Sequence, residues 1–225
     1  MAAITKVITE DFGKIFEKAI CILYETQYDG KFKYSENEAH SMQERIRKIK
    51  SMFPYNIVHT AKGGSKYDFT SQEVRLSAKT SKNSKTGKVC PQVIGQPSKK
   101  KFCEYFNLEH SITHNEIKYY IQQDIHSILE IYCKNTFDCP IIYFNKKTDN
   151  LLVVEPIVDI NWSEYNIVFS HIKKNKEWRE SSTISINNTT IGEFQIHNNR
   201  DCIKFRWCFE PFLATFGKAF LVSVL

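Results

Sequence analysis

None of the seven cysteines lies in a CxxC pair, so zinc-ligand spacing is absent, and the odd count argues against a disulfide framework. No uninterrupted apolar run approaches the roughly 20 residues needed to span a bilayer. The opening residues Met1-Ala2-Ala3-Ile4-Thr5-Lys6 lack the apolar core of a signal peptide. No GxxxxGKS or GxxxxGKT run exists, which disfavours a P-loop ATPase and any nucleotide cofactor. GxSxG is missing too, which leaves an α/β-hydrolase unsupported. These absences lead us to expect a reduced, cytoplasmic protein with no membrane partner.

What is present is a core and a moderate positive charge. Of 225 residues, 42% are hydrophobic and 13% aromatic, enough to bury a real interior. The net charge of +6 makes a polyanionic partner plausible, although many basic proteins need their charge only for solubility.

Phe12, Ile15, Phe16, Ala19, Ile22 and Leu23 recur at helical spacing and predict a helix over 9–27. A second, charged helix is expected over 36–52, ended by Pro54. Short strands follow at 55–60 and 67–70. The segment 73–80 alternates like a strand, with Val74, Leu76 and Ala78 on one face and Arg75, Ser77 and Lys79 on the other. Residues 81–88 are polar and lysine-rich, which predicts a mobile loop. Ser111 or Thr113 is placed to cap a helix to about 132. Strands are expected at 139–144, 150–155, 165–170, 181–187, 191–197 and 202–209. The order predicts a mixed α/β class without repeated βαβ units. We expect one domain over 1–225, with helices and a catalytic core in 1–135 and a β-rich part in 136–225.

Asp68 closes one short segment and Lys79 stands near the end of the next, with a hairpin's length between them. Two neighbouring strands can bring such an acid and lysine to one point. A carboxylate there can hold a divalent metal, and the lysine can steady a phosphate or a water. The plainer alternative is a turn aspartate and a solvent-facing strand lysine.

The stretch Asp68…Ser77-Ala78-Lys79 resembles the PD-(D/E)xK core of type II restriction endonucleases, with serine where an acid usually stands. The run Val89-Cys90-Pro91-Gln92-Val93-Ile94-Gly95-Gln96-Pro97 and the segment 192–207 are also similar to that family, so the likeness covers about a third of the chain. The resemblance implies a central mixed sheet flanked by helices, and Mg2+-dependent hydrolysis of double-stranded DNA by a homodimer. Asp68 would bind the metal, Lys79 would serve the attacking water, and Ser77 would act beside them. Serine is a poor metal ligand, so a further oxygen is needed. Glu44 of the early helices is the favoured carboxylate, and the amide of Gln92 is a weaker donor.

Clustered lysines supply phosphate contacts without reading sequence. Lys82, Lys85, Lys88, Lys99 and Lys100 flank the expected site, with Gln96 beside them. In the C-terminal strand pair, His197, Lys204 and Arg206 face away from the expected core, and Asn198, Asn199 and Arg200 sit at the connecting turn, where Asn and Arg side chains can bond base edges. The alternative there is an ordinary half-buried hairpin. Two other functions stay open: a structure-selective or repair nuclease with the same core, and a DNA-binding protein whose core has lost its metal.

Overall fold

Helix α1 (Thr9–Leu23) buries Phe12, Ile15, Phe16, Ala19 and Ile20, a stripe at positions one turn apart. It ends four residues sooner than expected because Glu25 turns into the left-handed region, with φ of 55°. The computed structural model describes residues 9–61, 65–92, 94–197 and 199–225, without the side chains of Thr9 and Glu10. The chain forms two compact units.

The first unit comprises residues 1–87, 139–155 and 221–225. This differs from a division at 135, because the strand pair that follows residue 139 joins the early helices. The expected helix over 36–52 is two helices, α2 (Glu36–Ser41) and α3 (Gln43–Met52). The break falls where the Gln43 side chain donates to the carbonyl oxygens of Ala19 and Ala39, at 2.9 and 3.3 Å. The sheet contains β1 (Val58–His59), β2 (Phe69–Thr70), β3 (Arg75–Ser81), β5 (Ile141–Asn145), β6 (Asn150–Pro156) and β11 (Phe220–Val224), in the order β1-β2-β3-β5-β6-β11. Strand β3 pairs antiparallel with β2 and parallel with β5, and β5 turns back antiparallel into β6. This is the expected mixed class. All five residues of β5 are buried, as in a strand covered on both faces. Phe144 of β5 meets Phe12 and Phe16 of α1 at ring distances of 5.6 and 5.7 Å. Within the segment 81–88 the Ser84 carbonyl accepts from Asn145 Nδ2 at 3.0 Å. Gly87 closes it at φ +57°, where a Cβ would strike the Tyr143 hydroxyl.

The second unit comprises residues 88–138 and 156–220. Its five-stranded antiparallel sheet runs β4 (Lys88–Val89), β10 (Ile203–Cys208), β9 (Thr189–Ile196), β8 (Ser181–Ile186), β7 (Val168–Phe169). Helix α4 (Lys99–Phe106) escaped sequence reading because three lysines fill its first turn against the helix dipole; Ser98 caps it, and Phe102, Cys103 and Phe106 bury its inner face. Thr113 does cap α5 (His114–Gln123), in a capping box with Glu116. The long helix expected to reach 132 breaks at Asp124 and resumes as α6 (Ile125–Thr136). The short α7 (Ser170–Lys173) takes the end of the strand expected over 165–170. Helix α8 (Phe209–Thr215) takes the last residue of the strand expected over 202–209. An aromatic core joins these elements: Phe205 stacks on Tyr132 at 4.5 Å and touches Phe194 and Trp207 at 4.6 and 4.7 Å. Trp162, Trp178 and Trp207 are all buried, as expected.

Candidate active site

The β1–β2–β3 meander fixes Asp68 by its backbone. Thr60 N donates to Asp68 O at 2.9 Å, and Asp68 N donates to Leu76 O at 3.1 Å. These bonds hold Asp68 beside the middle of β3. There its Oδ2 accepts from Ser77 Oγ at 2.9 Å and from Ala78 N at 2.7 Å, and Lys79 Nζ lies 3.9 Å away. Three consecutive residues of β3 therefore converge on one carboxylate oxygen, while Oδ1 takes none of these contacts. Asp68 and Lys79 are both partly shielded, with side chains 16% and 20% exposed. Partial burial strengthens their attraction over that of a surface pair. Ser77 is fully buried. Its hydroxyl orients the aspartate, where a second carboxylate would repel it.

Glu44 is not brought to this point. Its exposed carboxylate meets Arg47 of its own helix at 3.5 Å, and among the described residues it has no bond to Asp68, Ser77 or Lys79. A different acid is tied to the strand pair that leads into Asp68. Glu17 of α1 has a side chain only 16% exposed, and its Oε2 lies 3.2 Å from His59 Nε2. His59 is buried on β1, opposite Phe69, the residue after Asp68. The Tyr28 hydroxyl reports both acids: burial raises its pKa first, and Glu17 and, last and least, Asp68 raise it further. Sequence reading missed Glu17 because a glutamate beside an apolar helical stripe looks like any solvated helix residue.

The expected nucleic-acid residues divide between the units. Lys82 is half-buried and Lys85 exposed in the first. The rest belong to the second, where several are already engaged. Lys88 Nζ and Arg206 Nη2 both donate to Glu193 Oε2, at 2.6 and 2.7 Å. Burial works to raise the Glu193 pKa, but the two cations outweigh it and hold the carboxyl below its ordinary value. Lys99 Nζ donates to the Ile112 carbonyl at 2.7 Å. His197 Nδ1 lies 3.2 Å from Glu180. Gln92 is buried, and Gln96 is exposed with its amide 3.5 Å from Cys90 Sγ. Lys100, Asn199 and Arg200 are exposed and Lys204 is half-buried. Asn198 lies outside the described residues.

Comparison with known proteins bears on this arrangement. The type II restriction enzyme CviAII of Paramecium bursaria Chlorella virus 1 is 46% identical over 220 residues. The chain is similar to a type II restriction enzyme. The match covers 97% of this chain and 64% of that relative's length. No protein-family model matches the chain, and no solved structure matches it. Among the described residues no helix is long and apolar enough to cross a membrane.

Proposed function

We propose that the chain is a site-specific endonuclease of double-stranded DNA, a type II restriction enzyme that uses Mg2+. The observation that carries this is the convergence of Ser77, Ala78 and Lys79 on Asp68 Oδ2. The similarity to CviAII along nearly the whole chain supports it.

Among the described residues no group of three His, Cys, Asp or Glu side chains is gathered to hold a metal ion. Mg2+ does not require one. It is ordinarily bound through one or two carboxylates, with water and substrate phosphate completing its shell. We assign Asp68 and Glu17, in place of Asp68 and Glu44, as the two hard oxygen donors. A divalent cation held there would neutralise charge on the scissile phosphate and acidify the attacking water. Ser77 and the Ala78 amide fix the Asp68 carboxylate. Lys79 orients the water and offsets charge that develops on the phosphate. Water adds at phosphorus as one ester bond breaks, and no covalent intermediate is needed.

Lys82, Lys85, Lys100, Arg200 and Lys204 are assigned to phosphates or bases, with Asn199 beside them. Lys88, Lys99, Arg206 and His197 must exchange or share their present partners to join. A two-fold symmetric target is met by a two-fold homodimer. Asp68→Ala and Lys79→Ala are each expected to lower cleavage of duplex DNA by at least a thousandfold while retaining specific binding in a gel-shift assay with Ca2+. Wild-type cleavage by either variant would remove the assignment. Ser77 favours a second reading, a DNA-binding protein with a silent core; absence of cleavage with any divalent metal would select it.

A further inference from the structure

Buried histidines are commonly core residues with both nitrogens satisfied, and His59 has the partners for that. Their directions say more. The Asp29 backbone N–H donates to His59 Nδ1 at 2.8 Å. An amide can only donate, so Nδ1 carries the lone pair and the ring hydrogen sits on Nε2. That hydrogen points at Glu17 Oε2, 3.2 Å away. The ring is clamped as well: it stacks on Tyr28 at 4.4 Å and packs against Phe69 at 5.0 Å. Tyr28 is the residue whose hydroxyl lies in the field of Glu17 and Asp68, and Phe69 adjoins Asp68. One imidazole thus joins the helix that bears Glu17 to the strand that begins directly after Asp68.

We propose that His59 is a positioning residue: fixed by the Asp29 amide as an Nε2–H donor, it holds the Glu17 carboxylate in place for a divalent cation shared with Asp68. This rests on the nuclease reading above. Histidine is otherwise a usual metal ligand, but here neither nitrogen is offered to a cation. Groups that hydrogen-bond a ligating side chain commonly govern metal affinity about 10–100-fold.

The test compares Mn2+ binding to the purified full chain by titration calorimetry, alongside the Mn2+ concentration that half-saturates DNA cleavage. His59→Phe keeps a ring between Tyr28 and Phe69 but can neither accept from Asp29 nor donate to Glu17. His59→Gln can do both. His59→Phe is expected to weaken Mn2+ binding at least tenfold and to raise the half-saturating concentration in step, with His59→Gln within threefold of wild type. Wild-type Mn2+ affinity in His59→Phe, beside weakened binding in Glu17→Gln, would overturn the proposal and leave the nuclease reading standing. No Mn2+ binding by the wild-type protein would instead sink that reading, and this proposal with it. Should His59→Phe not fold, ring 15N spectra of the wild-type protein decide: a hydrogen on Nε2 whose signal moves on adding Ca2+ supports the proposal, and a hydrogen on Nδ1 contradicts it.

Discussion

The chemistry of Asp68 is set by which of its oxygens is already taken. Oδ2 is held by a buried hydroxyl and a strand amide, with an ammonium nearby. A hydrogen bond to a charged group contributes about 1.5–3 kcal/mol. Ser77→Ala is therefore expected to slow single-turnover cleavage by about tenfold or more without abolishing it. The two candidate acids separate cleanly. Glu17→Gln should lower cleavage more than a hundredfold under the same assay, whereas Glu44→Gln, whose partner is Arg47, should leave it at the wild-type rate. Glu193 yields a pH prediction. Its carboxyl is held below the ordinary value of 4.5, so its folded pKa lies beneath its unfolded one. Its contribution to stability is present above about 4.5 and is lost as pH falls through the lower folded value. Urea unfolding at a series of acidic pH values should show that loss in the wild type and a flatter profile in Glu193→Gln. Equal slopes would remove Glu193 from the account.

At the scale of elements, the sequence was legible wherever a period or a cap acted alone. Thr113 and Glu116 form the capping box, and Thr113→Ala should cost about 1 kcal/mol in denaturant unfolding. The central hairpin from Asp68 to Lys79 was legible too, because it is local and its alternation is short. Three of the misread boundaries have a local cause, a side chain or backbone angle that overrides periodicity. Gln43 takes a carbonyl of the preceding helix, Glu25 turns left-handed, and three lysines disguise the start of α4. Gly192 shows the same limit in a strand. A Cβ there would lie 2.9 Å from the Phe205 ring, so Gly192→Ala should destabilise the second unit by about 1–3 kcal/mol, read as a fall in melting temperature.

At the scale of the whole chain, what the sequence hid is long-range. Residues 139–155 return to the unit built by the early helices, and β3 finds its parallel partner in β5. Nothing local announces that pairing, because a parallel partner is chosen across a crossover rather than a turn. The same holds for the site. Asp68, Ser77 and Lys79 meet through one hairpin and could be found together. Glu17 and His59 come from separate elements, and only folding makes them neighbours. Sedimentation of the purified protein is expected to give a mass near twice 26.3 kDa if the proposed homodimer forms. The most direct measurement is digestion of unmethylated phage DNA by the wild-type and Lys79→Ala proteins, with and without Mg2+. Discrete Mg2+-dependent fragments from the wild type, absent with Lys79→Ala, are the predicted result. Fragments from both proteins, or from neither under any divalent metal, would contradict it.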